Sequence, residues 1–298
     1  MIVFHYKTAF HILKHHEMDS SKVPRLNNLP QTVERALDIL EVFTDSNEAL
    51  GITELSRKVN INKSTTYRII QALRTRGYIH QDYETSKYCL GYKILKLASG
   101  SLNQNKLRWT ARKYLEDLSK ATSHTVQLTL LEGDEVVYID QVEGTDIFQL
   151  RLQIGNRGPL HCTAAGKSIL AFLAGEDLEN ILGNIKLIRF TNKTITSIYH
   201  LRDELRKIKR VGFSFCDQEY DKSLRAIGAP IIGVGSKVMG AVALVAPYHR
   251  IKLKEVSFYG NLVKETGLKI SLEMGGEPHS KFQRSIKPGW HASKNSLS

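Results

Sequence analysis

Residues 52–73 read ITELSRKVNINKSTTYRIIQAL, and the spacing of their apolar positions decides the fold of the first third of the chain. Leu50, Ile52, Leu55 and Val59 lie on one face of a short helix that Thr53 is placed to cap. Asn60 follows, a residue that tolerates the left-handed backbone a tight inter-helix turn requires. Asn62 or Lys63 then opens a second helix over 64–74, with Ile61, Thr66, Ile69, Ile70 and Leu73 turned inward. Between Arg57 and Arg76 the charged residues are Arg57, Lys58, Lys63, Arg68, Arg74 and Arg76, with no acid among them. Two short amphipathic helices, a turn residue at the right offset and an acid-free polar face together describe a helix-turn-helix facing a polyanion.

The neighbouring segments complete the unit. Val33, Ala36, Leu37, Leu40 and Phe43 give a helical stripe over 31–43, which Thr32 is placed to cap. Beyond Gly77, the runs 78–79 and 88–90 flank a polar stretch and predict a two-stranded wing closing at Gly91. Residues 1–29 form an N-terminal extension, 30–91 the winged helix-turn-helix and 92–108 a linker helix. A second domain occupies 109–275. Here alternating segments at 126–131, 136–140 and 148–154, helices at 164–173 and 201–211 and a hairpin over 229–245 predict an α/β layer with an antiparallel sheet, so the chain as a whole is α+β. A basic disordered tail covers 276–298.

In such a motif the second helix enters the major groove, and its N-terminal residues meet the base edges. Asn62, Lys63, Ser64, Thr66 and Tyr67 are therefore the sequence-reading candidates. Ser64, Thr65, Arg68 and the wing's Lys87 are suited to phosphates. Packing against Leu55 or the wing is the competing role for Tyr67.

The 298 residues exceed one hydrophobic core and imply two domains. A formal net charge of +12 fits a polyanionic partner. No apolar run is long enough to span a membrane, and the N-terminal stretch lacks a signal-peptide cleavage site. These features predict a cytoplasmic protein, with Met18 an alternative start to Met1. Cys89, Cys162 and Cys216 have no C-x-x-C spacing and read as reduced thiols. His11 and His15 have helical metal-pair spacing but no third ligand nearby, so neither metal nor cofactor is expected. Gly166-Lys167-Ser168 matches the end of a nucleotide-binding loop, but the glycine that loop needs five residues earlier is His161, which excludes it. No G-x-S-x-G or paired carboxylate suggests an enzyme. A thiol-based enzyme or redox sensor using Cys162 or Cys216 is the alternative within the second domain, and an architectural DNA binder indifferent to small molecules is a further one.

These residues resemble the IclR-type bacterial transcriptional regulators over roughly 30–275. The carriers are VERALDIL at 33–40, TELS at 53–56, NKSTTYR at 62–68, RGYI at 76–79 and YCLG at 88–91, followed by PLHCTAAGKS at 159–168, Gly212-Phe213 and IGAP at 227–230. The resemblance implies a homodimer or dimer of dimers on a palindromic operator, and a GAF-like second domain that binds a small metabolite. In relatives that bind small oxo-acids, an Asp, a Cys and two Ser hold the carboxylate beside a strand–helix turn. The matching positions here are Cys216, or Asp217 after a one-residue slip, with Ala226, Ala243 and Val245, and Ala164 and Ala165 at the turn. Losing charged hydrogen bonds worth about 1.5–3 kcal/mol each argues for a more apolar or aromatic effector, or none.

Overall fold

The computed structural model describes residues 30–44, 46, 48–145 and 154–277. The readings made for the N-terminal extension, for most of the 148–154 segment and for nearly all of the basic tail lie outside these residues. The chain divides into two compact units that part between Gln104 and Asn105.

The first unit contains α1 (Gln31–Val42), α2 (Ile52–Lys58), α3 (Lys63–Thr75), β1 (Ile79–Gln81), β2 (Tyr88–Leu90) and α4 (Lys93–Gln104). Ile39, Phe43, Leu55, Ile69 and Ile70 from the helices close on Ile79 and Tyr88 of the wing. Burying each such side chain contributes about 1.5–3 kcal/mol, enough to hold a small unit together. Asn60 does turn left-handed, with φ 51°. Ser56 Oγ donates to Ile61 O at 2.6 Å and staples the turn shut.

Several local expectations are corrected. α1 begins at Gln31 behind Pro30, so Thr32 lies inside the helix and does not cap it. α2 is capped at Gly51, where Glu54 reaches back to accept the backbone N–H at 2.9 Å, so Thr53 does not cap it either. The buried residue of α1 is Ile39, joined by Phe43 just beyond its end, whereas Val33 and Leu37 are 54% and 53% exposed.

The second unit is an antiparallel six-stranded sheet ordered β5-β4-β3-β8-β7-β6. Its strands are β3 (Thr125–Glu132), β4 (Glu135–Val142), β5 (Arg157–Pro159), β6 (Ser214–Asp217), β7 (Leu224–Ile232) and β8 (Val238–Pro247). On one face, α5 (Lys106–Thr122) and α9 (Val256–Glu273) bury Leu107, Ala111, Leu115, Val263 and Ile270 against Leu128, Ile227 and Leu244. On the other, α6 (Ala164–Phe172), α7 (Gly175–Asn184) and α8 (Ile198–Val211) bury Ile169, Leu182, Leu201 and Leu205 against Ala241 and Ala243. Alternate residues of each strand therefore serve different cores.

Two devices shape the α6 face. A Cβ on Gly228 of β7 would come within 2.7 Å of Ala164 O, so glycine there lets the first turn of α6 lie directly on the sheet. In β4 the register passes from Leu128↔Asp140 to Thr129↔Tyr138, which makes Ile139 the extra residue of a β-bulge. The bulge reverses the alternation, so Tyr138 packs on the α6 side while Ile139 joins the α5 side.

Candidate nucleic-acid interface and sensor site

At the start of α3, Asn62 Oδ1 accepts the Thr65 N–H at 2.8 Å and the Ser64 hydroxyl at 2.9 Å. It thus satisfies one of the donors a helix N-terminus leaves open. The Asn62 oxygen is committed to the helix, and the residue itself is exposed. Lys63, Ser64, Tyr67 and Arg68 are exposed and Thr65 is half-buried. Tyr67 is 52% exposed, so packing against Leu55 or the wing does not enclose it.

Thr66 must be removed from the reading set. It is fully buried, and its hydroxyl donates to Asn62 O at 3.0 Å, as expected of a residue on the inward stripe. Arg74, which the sequence places on the basic face, donates to Gln81 Oε1 at 2.6 Å and joins the last turn of α3 to β1. Gln81 Nε2 donates in turn to Ser86 O, so α3 fixes the wing that presents the exposed Lys87. Asp82 Oδ1 accepts from the backbones of Glu84 and Thr85 and from the Thr85 hydroxyl, closing the wing tip.

In the second unit, the pairings Cys216↔Ala226, Ala226↔Val245 and Gly228↔Ala243 place Cys216, Ala226, Ala243 and Val245 on the α6 face of the sheet. By this register Cys216, and not Asp217, shares the face of Ala226, Ala243 and Val245. Asp217 lies on the opposite face, where Arg225 at 2.6 Å and Lys193 at 2.7 Å engage its carboxylate, and it is withdrawn as a candidate. Cys216 Sγ donates to Cys162 O at 3.0 Å. Ala164 and Ala165 are buried in the first turn of α6. Thr163 Oγ1 accepts the Gly166 N–H at 3.1 Å, and the N–H groups of Ala164 and Ala165 precede the helix ladder.

Polar residues that sequence reasoning missed share this face. Gln127, opposite Ala243, donates through Nε2 to Gln141 Oε1 at 3.1 Å. Tyr138 is buried in the α6-side core, and Tyr220 meets Phe190 edge-on with ring centroids 4.9 Å apart. Burial pushes the Tyr220 phenol up to about 12, with the nearby Cys162 adding to the shift. The register of β3 with β8 would have exposed Gln127, but no pattern in the sequence reveals a bulge that re-aims Tyr138.

Gly166-Lys167-Ser168 has a structural role. Lys167 is buried, with Nζ 2.5 Å from Glu219 Oε1, 2.7 Å from Phe215 O and 3.5 Å from Glu204 Oε1. Burial opposes its charge, but the Glu219 carboxylate more than offsets this and raises the ammonium above its usual range. Ser168 bonds Ser214, which donates to Ala164 O at 2.6 Å. The lysine thus locks α6 to the β6 edge and does not reach toward the helix N-terminus where a phosphate would lie. Burial also pushes both thiols up, Cys216 to about 12, so neither is poised as a nucleophilic thiolate. Among the described residues, no helix is long and apolar enough to cross a membrane, and no cluster of His, Cys, Asp and Glu has the makings of a metal site.

Known proteins agree with this architecture. Residues 32–83 match the IclR helix-turn-helix domain, and residues 99–272 match the C-terminal domain of the bacterial transcriptional regulator IclR. The Escherichia coli regulator XynR is 31% identical over 245 residues, which span 82% of this chain and 97% of that protein. The E. coli regulator KdgR is also 31% identical, over 84% of this chain and 96% of its own length. Among solved structures, Thermotoga maritima IclR has a TM-score of 0.72 at 29% identity, covering 82% of this chain and 99% of that one. An IclR homologue from Microbacterium hydrocarbonoxydans, solved with 4-hydroxybenzoate, has a TM-score of 0.70 at 22% identity, covering 85% and 100%. With one family domain over the winged unit and another over the sheet unit, this chain belongs to the IclR family of transcriptional regulators, pairing a DNA-binding helix-turn-helix with an effector-binding domain.

Proposed function

We propose that the chain reads a palindromic operator through α3, as a dimer or dimer of dimers. Lys63 and Tyr67 reach base edges, while Ser64, Thr65, Arg68 and the wing's Lys87 hold phosphates. The observation that carries this reading is the exposed, acid-free face of α3, set over a buried Thr66–Ile69–Ile70 stripe. Support for self-association comes from α4, a twelve-residue helix with no buried residue, on which Leu95 and Leu97 are 63% and 55% exposed. Together with Val33 and Leu37 of α1, these side chains give each first unit the apolar surface a second copy would cover. Two copies around a two-fold axis would read two half-sites about one helical turn apart.

In the second unit, the effector presents an apolar or aromatic body to Cys216, Ala226, Ala243 and Val245 and a polar end to the first turn of α6 at Ala164 and Ala165. Three of the four sheet positions carry no hydrogen-bonding side chain, which disfavours a small, strongly hydrated oxo-acid. An aromatic acid bound by a structural relative is consistent with that class. The protein works by binding in the cytoplasm and not by turnover.

Selection from random duplex DNA with the full chain tests the operator reading. An enriched inverted repeat is expected, and enrichment of an unpaired single site would overturn the dimeric part. Thermal shift tests the effector: stabilisation by aromatic acids is expected, and stabilisation by short oxo-acids alone would overturn the assignment.

A further inference from the structure

Resting on the sensor reading above, we infer that the β4 bulge is the element that passes occupancy of the α6 face to the start of α5. Tyr138 and Gln141 belong to the sensor face, Tyr138 within the core that also holds Ala165 and Ala243, and Gln141 through Gln127. Between them, Ile139 and Asp140 serve the α5 side, since Asp140 stands opposite Leu128, a residue of that core. A displacement of Tyr138 or Gln141 therefore reaches Asp140 on the other face through the strand backbone itself, because all four residues lie on one bulged segment. A bulge re-aims side chains and leaves its extra residue outside the ladder, which interrupts the pairing at this point.

On the α5 side, Asp140 is buried and pairs with both arginines of the first turns of α5. Arg112 NH1 donates to Asp140 Oδ1 at 3.0 Å and to Gln141 O at 3.2 Å. Arg108 Nε stands 3.4 Å from Asp140 Oδ2, yet among the described residues neither atom has a hydrogen-bond partner. That contact is an ion pair held short of a hydrogen bond, so a small shift of the bulge completes it or breaks it. Leaving these two buried atoms unbonded is costly, so the contact is sensitive to the position of the segment. Arg108 also gives its backbone N–H to Asn105 Oδ1 at 3.1 Å, the cap of α5. Asn105 is the residue that separates α5 from α4 of the DNA-binding unit. The route is thus Tyr138 to Asp140 to Arg108 to Asn105, with Asp140 and Arg108 acting as positioning residues that touch no ligand.

Hydrogen exchange on the ligand-free full chain tests this. Ala243→Val adds bulk on the sensor face beside Gln127, and Ala226→Leu is a second probe should the first lose native circular dichroism. Either substitution is expected to change amide exchange over residues 106–112 by about fivefold or more, the lower range of allosteric couplings. With Asp140→Asn in the background, the same substitution is expected to change it less than about twofold. Exchange in α9, on the opposite face of the sheet from the substitution, should change less than about twofold, which a general loosening of the fold would not allow. No change over 106–112 from either folded probe, or an equal change with Asp140→Asn present, would overturn the inference. If the exchange results are as expected while affinity for the selected operator is unmoved, the coupling stands and the reading of the sheet unit as a control on DNA binding fails.

Discussion

Removing Glu219 while leaving Lys167 strands an ammonium inside the second unit. In Glu219→Leu the remaining neighbours are the Phe215 carbonyl at 2.7 Å and Glu204 at 3.5 Å, and the partner at 2.5 Å is gone. Breaking a buried pair from one side costs about 3–5 kcal/mol, because the surviving charge is desolvated without compensation. Lys167→Met should cost a similar amount by stranding the carboxylate. The double variant Lys167→Met/Glu219→Leu replaces both groups with apolar side chains of comparable volume, and such swaps are often close to neutral. For a unit of this size, each kcal/mol moves Tm by about 2–4 °C, so each single change should lower it by roughly 6–20 °C while the double change recovers most of the loss. Urea denaturation followed by circular dichroism measures the four corners of the cycle. A single variant losing under about 1 kcal/mol, or a double variant as damaged as the sum of the singles, would refute the assignment of Lys167 as a buried clamp between α6 and the β6–β7 region.

Gly228→Ala should push a methyl against Ala164 O, costing about 1–3 kcal/mol by chemical denaturation and displacing the first turn of α6. Unchanged stability would mean that the turn does not press on β7. Asn62→Ala removes the cap taken by the Thr65 N–H and should cost the first unit about 1 kcal/mol, with faster amide exchange confined to the start of α3. The wing should be acid-sensitive. The Thr85 backbone N–H, then its hydroxyl, hold the Asp82 carboxyl below its ordinary 3.8. A depressed carboxylate contributes stability that is present above 3.8 and lost as pH falls through the lower folded value. Protection of the Glu84 and Thr85 amides should therefore persist at pH 5 and fade only below about 4, and Asp82→Asn should abolish that transition.

The winged unit was legible because its signals are local. A 3.6-residue stripe, a turn residue and an acid-free face lie within 25 residues of one another, and Asn60 and Asn62 behave as their chemistry dictates. Where local reading failed, tertiary geometry was the cause. Thr66 fits both a reading helix and an inward stripe, and only burial decides between them. In α1 the stripe read from the sequence runs through Val33 and Leu37; the unit buries Ile39 and leaves those two outside. The second unit was legible as an antiparallel α/β layer, but α7, β6 and α9 were not marked out in advance. Its proposed site depends on long-range register: Cys216 is separated from Asp217 only by its pairing with Ala226 across the β6–β7 connection, and Tyr138 reaches the α6 face only because Ile139 bulges. Lys167 reads as the end of a phosphate loop until its partner Glu219, 52 residues away, is in place.

Sequence-specific binding through α3 is tested most directly by fluorescence anisotropy on the selected operator and on scrambled DNA of equal length, across a salt series. The wild-type chain should prefer the operator at least about 10³-fold at physiological salt. Tyr67→Ala should reduce that preference with little change in salt dependence, whereas Arg68→Ala should weaken both DNAs alike and lower the salt slope by about one. Equal affinity of the wild-type chain for operator and scrambled DNA, or a preference that survives Tyr67→Ala and Lys63→Ala together, would contradict the assignment of α3 as the reading helix.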